Sequence, residues 1–77
     1  MKTITELAIR SRRLPPPTVA TAIRRAAGVS QEMVADELGV TRVTVSRWEA
    51  GLHRPRGKLR LRYAELLEEL QREVLGF

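Results

Sequence analysis

Between Ser30 and Gly51 the apolar residues recur three and four apart in two short runs, with one glycine between the runs and another after them. Val34, Ala35 and Leu38 share one face of a helix predicted over Gln31 to Leu38. Val45 and Trp48 share the inner face of a second helix that ends before Gly51. Ser30 and Thr41 stand where N-caps belong, and Gly39 can take the left-handed conformation that stops the first helix. Met33 occupies the position where a capping box would put Glu or Gln, so Ser30 caps without a reciprocal bond. Val40 plugs the turn, and the small Ala35 lets the two helices cross closely. At about 100° per residue, Arg42, Val43, Ser46 and Arg47 fall on one arc opposite Val45 and Trp48. The outer face of the second helix therefore carries two guanidiniums and little bulk.

The same periodicity predicts two further helices. One runs from Thr18 to Ala27, with Val19, Ile23 and Ala26 or Ala27 turned inward and Gly28 at its end. The other runs from Lys58 to about Leu75, with a stripe of Leu59, Tyr63, Leu66, Leu67, Leu70 and Val74. Its first half closes the core. From Leu70 onward its apolar residues can serve self-association or pack within the same chain on residues 4 to 9. Leu14-Pro-Pro-Pro17 is a stiff polyproline spacer, with Pro17 near the first helical position, where its missing N–H costs little. Thr3-Ile-Thr-Glu6 fits a capping box for a short helix to about Arg12, although a strand over Ile4 to Ile9 or a basic arm is open too. Arg10, Arg12 and Arg13 can touch phosphate or a minor groove, or simply be solvated. The expected fold is an all-α compact helical bundle, with residues 18–77 as its domain, 30–51 as the motif, 58–75 as the long C-terminal helix and 1–17 as an appended segment.

Charge sharpens this picture. The net charge of the 77-residue chain is +5, but from Gly39 to Arg62 seven basic residues (Arg42, Arg47, Arg54, Arg56, Lys58, Arg60 and Arg62) face Glu49 alone. From Tyr63 to Phe77 the balance reverses, with Arg72 against Glu65, Glu68, Glu69 and Glu73. A polyanion should meet the middle of the chain, and the C-terminal end should face away from it. There is no Cys, and His53 is the single His, without neighbours at metal-ligand spacing. No nucleophile and base set, phosphate-binding glycine loop or carboxylate cluster suggests an enzyme or a cofactor. No apolar run approaches the roughly 20 residues of a membrane span, and Glu6, Arg10, Arg12 and Arg13 interrupt any signal-peptide core. A soluble cytoplasmic protein without metal or cofactor is expected.

Gln31, Val34, Ala35, Leu38, Gly39, Val40, Val45, Ser46, Trp48, Glu49 and Gly51 together resemble the helix-turn-helix of lambda-repressor-like (Cro or XRE-type) DNA-binding domains. The resemblance extends from about Thr18 to Leu70. It implies a lambda-repressor-like bundle whose second motif helix, Arg42 to Ala50, enters the major groove of double-stranded DNA. Arg42 and Arg47 are then the candidates for guanine readout, Val43 for a thymine methyl, and Ser46 for a base or a phosphate. Gln31, Thr44, Arg54, Arg56 and Lys58 are candidate phosphate contacts. The resemblance also implies an ion pair between Arg24 and Glu49 that ties the first helix of the domain to the recognition helix. It points to a small repressor acting as a homodimer on a palindromic operator. The other functional class left open is a protein-interaction module, such as an antitoxin or regulatory adaptor, whose terminal segments capture a protein partner and whose DNA contact is secondary.

Overall fold

Four helices make up residues 14–76, which are the residues that the computed structural model describes. They are α1 (Pro17–Ala26), α2 (Gln31–Leu38), α3 (Arg42–Glu49) and α4 (Gly57–Leu75). The expectations placed on residues 3–13, a short helix, strand or basic arm, lie outside the described residues.

Each helix begins and ends for a local chemical reason. Pro17 occupies the first turn of α1, where an N–H would have no intrahelical acceptor, and the amide of Ala20 closes that turn on the carbonyl of Pro16 at 2.9 Å. The Ser30 hydroxyl accepts the Met33 amide at 3.0 Å and caps α2. Gly39, at φ +71°, ends α2 and lets the Val40 amide reach back to the Ala35 carbonyl at 3.0 Å. Thr41 caps α3 through the Thr44 amide at 3.2 Å. Arg62, on α4, donates to the carbonyl of Glu37 at 2.9 Å and so satisfies a terminal acceptor of α2. That ties one Arg62 nitrogen to the end of α2, while the exposed guanidinium keeps its charge.

Packing follows from these ends. α2 and α3 lie most closely against one another, α1 touches both α3 and α4, and α4 crosses behind α1 and α2. Ala20, Val34, Ala35, Leu38, Val45, Trp48, Tyr63 and Leu67 form the buried core, with Leu14, Ile23, Val29, Val40, Leu59 and Leu66 partly buried around it. Trp48 and Tyr63 meet at 4.8 Å between ring centroids with a tilt of 38°, an arrangement that favours aromatic rings beyond simple burial.

One inward face differs from the expectation. Val19 is exposed and Ala26 lies on the surface, while Ala20 and Arg24 point inward on α1. The phase of α1 is fixed by the small Ala20, which lies beside Trp48 and Tyr63, and by the need of Arg24 to reach Glu49. Val19 sits about 100° away from Ala20. The apolar stripe of α4 also fades: Tyr63, Ala64 and Leu67 are buried, whereas Val74 and Leu75 are exposed.

Candidate nucleic-acid interface

The surface of interest is built from the start of α2, the outer arc of α3 and the loop that follows it. Val45 and Trp48 are buried, which fixes the rotation of α3, and the opposite arc is left to solvent with Arg42, Val43 and Arg47 exposed and Ser46 partly so. Among the described residues no carboxylate forms a salt bridge with Arg42 or Arg47. A pair of guanidiniums without a counter-ion among the described residues, on a narrow helix face, is suited to an anionic or acceptor-rich partner.

The one carboxylate of α3 is turned the other way. Glu49 accepts Arg24 Nε at 2.6 Å on one oxygen, and Arg24 Nη2 at 2.9 Å together with Gln31 Nε2 at 3.0 Å on the other. Arg24 also donates from Nη1 to the Val29 carbonyl at 2.9 Å. The two side chains are 10% and 6% exposed, so this bidentate pair is shielded from water. The hydrogen bond to Glu49 holds the Arg24 guanidinium above its ordinary pKa. Burial alone would push the Glu49 carboxyl up, but the bonds from Arg24 and Gln31 outweigh it and hold the carboxyl below its ordinary value. Two results follow for the interface. The Glu49 charge is paired internally, and the Gln31 amide is held at the start of α2 with its second N–H uncommitted among the described residues.

The folded-state shift of Glu49 sets an acid limit. Its stabilisation is full above the ordinary carboxylate value of 4.5 and is lost as pH falls through that value toward the lower folded one, where the unfolded chain takes up the proton first. Tyr63 sets a basic limit: burial pushes its hydroxyl up to about 12. Its contribution is therefore full below the ordinary value of 10 and lost as pH rises from there through about 12. Urea midpoints measured across pH should show both edges, with Glu49→Gln flattening the acid side and Tyr63→Phe the alkaline side. An unchanged acid slope in Glu49→Gln would assign that edge to other carboxylates.

Thr44 is partly buried at the first turn of α3, and its hydroxyl lies 3.0 Å from that of Thr41. Because the Thr41 oxygen already accepts the Thr44 amide, its own proton can go to Thr44 Oγ1, which leaves the Thr44 O–H free to donate outward. The loop after α3 is anchored rather than loose. The amides of Leu52 and His53 both bond the Arg47 carbonyl, at 2.9 and 3.3 Å, and Gly51 at φ +76° makes that reversal possible. Pro55 is buried and, with Trp48, Tyr63 and Pro15 to Pro17, lines a cavity of about 380 Å³. Arg54, Arg56 and Lys58 are exposed on either side of it in the sequence.

Sequence patterns alone missed three features here. They read Pro55 as a helix breaker and not as a buried plug. They gave Arg62 no place at the end of α2. They also left Gln31 without its link to Glu49, which no spacing rule between different helices can reveal.

A helix-turn-helix family model matches residues 21–72, which include all of α2 and α3 and most of α1 and α4. No curated protein and no solved structure matches the chain. Among the described residues, no helix is long and apolar enough to cross a membrane, and no cluster of His, Cys, Asp and Glu is arranged to hold a metal ion.

Proposed function

We propose that this chain, which belongs to the lambda-repressor-like (Cro or XRE-type) family of DNA-binding helix-turn-helix domains, is a small cytoplasmic repressor that reads a palindromic operator as a homodimer. The observation that carries this reading is the outer arc of α3, with two exposed guanidiniums and no exposed carboxylate. An α-helix fits the major groove of B-form DNA, and an arginine can donate two parallel hydrogen bonds to O6 and N7 of guanine. Arg42 and Arg47 take that role, Val43 meets a thymine methyl, and Ser46 bonds a base edge or a phosphate.

Affinity comes from the flanks. Gln31 and Thr44 donate to phosphates near the helix starts, and Arg54, Arg56 and Lys58 lie along the sugar-phosphate backbone beyond the end of α3. These contacts fix the register of the recognition helix without reading sequence. One helix reads only a few base pairs, so two copies bind half-sites about one turn, or about 34 Å, apart.

The two classes of contact separate under substitution. Arg47→Ala should relax the preference at one base pair by about 1–3 kcal/mol, seen as convergence of binding constants for matched and mismatched duplexes. Arg54→Ala with Arg56→Ala should weaken binding to all duplexes alike and reduce the slope of log affinity against log salt by about 2. Were Arg47→Ala to weaken all duplexes equally, Arg47 would be a backbone contact and base reading would rest on Arg42.

A further inference from the structure

We infer that the cavity between the start of α1, the end of α3, the 52–56 loop and the start of α4 is a binding site for a small aromatic carboxylate, and that its occupation weakens the hold of the chain on DNA. The coupling to DNA rests on the reading of Arg54 as a backbone contact, whereas the binding itself does not. The volume of about 380 Å³ falls within the roughly 300–1,000 Å³ of small-molecule sites. The floor is apolar: Ala20, Trp48, Pro55 and Tyr63 line it and are buried. The rings of Pro15, Pro16 and Pro17 add a wall. The margin is cationic, because Arg54 and Arg60 line the cavity and are exposed, with His53 beside them. Among the described residues no carboxylate lines the cavity, and neither guanidinium has a salt bridge.

This combination selects the ligand. A flat ring gains contact against the proline rings and the buried aromatics, where an ammonium or a polyol would lose its water without gaining a partner. A guanidinium pairs with a carboxylate through two parallel hydrogen bonds and also stacks on an aromatic face. Arg54 and Arg60 therefore favour a molecule that carries a ring and an anion together. Arg54 is the link to DNA, since it cannot lie along a phosphate and over the cavity at once. A bound carboxylate draws it from the backbone, and by reciprocity DNA lowers the affinity for the carboxylate by the same factor. The base-reading arc of α3 takes no part in the site, so the effect falls on affinity for all duplexes and not on sequence preference.

The test titrates phenylacetate into the full chain at constant ionic strength. Binding is followed by amide NMR shifts and by the emission of Trp48, which lines the cavity and is the single tryptophan. The expected result is saturable binding with a dissociation constant on the order of 1 mM, with shifts centred on Ala20, Trp48, His53 and Arg60. Acetate and benzyl alcohol each lack half of the ligand and should bind about tenfold more weakly or worse. Arg60→Gln, at an exposed position outside the proposed DNA contacts, should weaken phenylacetate about tenfold and leave DNA affinity unchanged, and Arg60→Lys should restore part of the binding. Saturating phenylacetate, against acetate at equal ionic strength, should lower wild-type affinity for all duplexes alike and reduce the slope of log affinity against log salt by about 1. No saturable response, equal binding of acetate, or shifts centred elsewhere overturns the site. Cavity binding that leaves wild-type DNA affinity unchanged overturns the coupling, and Arg54→Ala alone then separates the causes. If that variant binds DNA as the wild type does, the backbone reading of Arg54 has failed; if it binds more weakly, the coupling alone has.

Discussion

Arg24→Ala is expected to lower the folding stability of the chain by about 3–5 kcal/mol, a large share of the roughly 4–11 kcal/mol available to a domain of this size. The cause is the group left behind. Without the guanidinium, the Glu49 carboxylate stays inside the fold with only the neutral donors Gln31 and Thr21 among the described residues. Glu49→Ala should cost nearly as much, because the Arg24 head then keeps only the Val29 carbonyl among the described residues. The double variant should cost clearly less than the sum of the two. Arg24→Lys should not rescue, since one ammonium cannot reproduce the fork that reaches both Glu49 oxygens while a third bond holds Val29. Urea unfolding of the four proteins measures the coupling. Simple additivity would show that the pair stabilises nothing and that water reaches both groups.

Trp48→Ala should be comparably severe, at about 3–5 kcal/mol, or a fall in melting temperature of roughly 12 °C or more at about 4–8 °C per kcal/mol for a domain this small. Trp48 is 5% exposed, stacks on Tyr63, and lies beside Ala20 and the buried Pro55. Its loss would open the junction of α1, α3, α4 and the loop that carries Arg54 and Arg56. DNA affinity should therefore fall even at temperatures where the variant remains folded. Unfolding has to be followed by circular dichroism, because the chain has no other tryptophan. A shift of only a few degrees would mean that the neighbouring side chains collapse into the space.

The parts of the fold that could be read from the sequence are those decided by local chemistry. Ser30, Gly39 and Thr41 act on their own backbones within four residues, so their positions alone specify where α2 ends and α3 begins. The burial of Val34, Ala35, Leu38, Val45 and Trp48 follows from spacing on a helix. What periodicity could not supply was the phase of α1, a helix with few large apolar residues. Its inward side is chosen by Ala20 and Arg24, one small and one charged, and neither registers as hydrophobic. The capping of α2 by Arg62 and the hold of Glu49 on Gln31 join positions 25 and 18 residues apart, and depend on the finished packing. The outer arc of α3 is legible for the complementary reason: once Val45 and Trp48 are buried, Arg42, Val43, Ser46 and Arg47 have nowhere else to go.

The central claim, base reading by the outer arc of α3, is tested most directly by selecting bound sequences from a random duplex pool at near-physiological salt. The wild-type chain and a variant carrying Arg42→Ala and Arg47→Ala should be run in parallel. The expected result is an enriched, two-fold symmetric motif with at least one guanine in each half-site, lost by the variant. Enrichment of the same motif by both proteins, or no enrichment by the wild type with binding that varies only with salt, would contradict it.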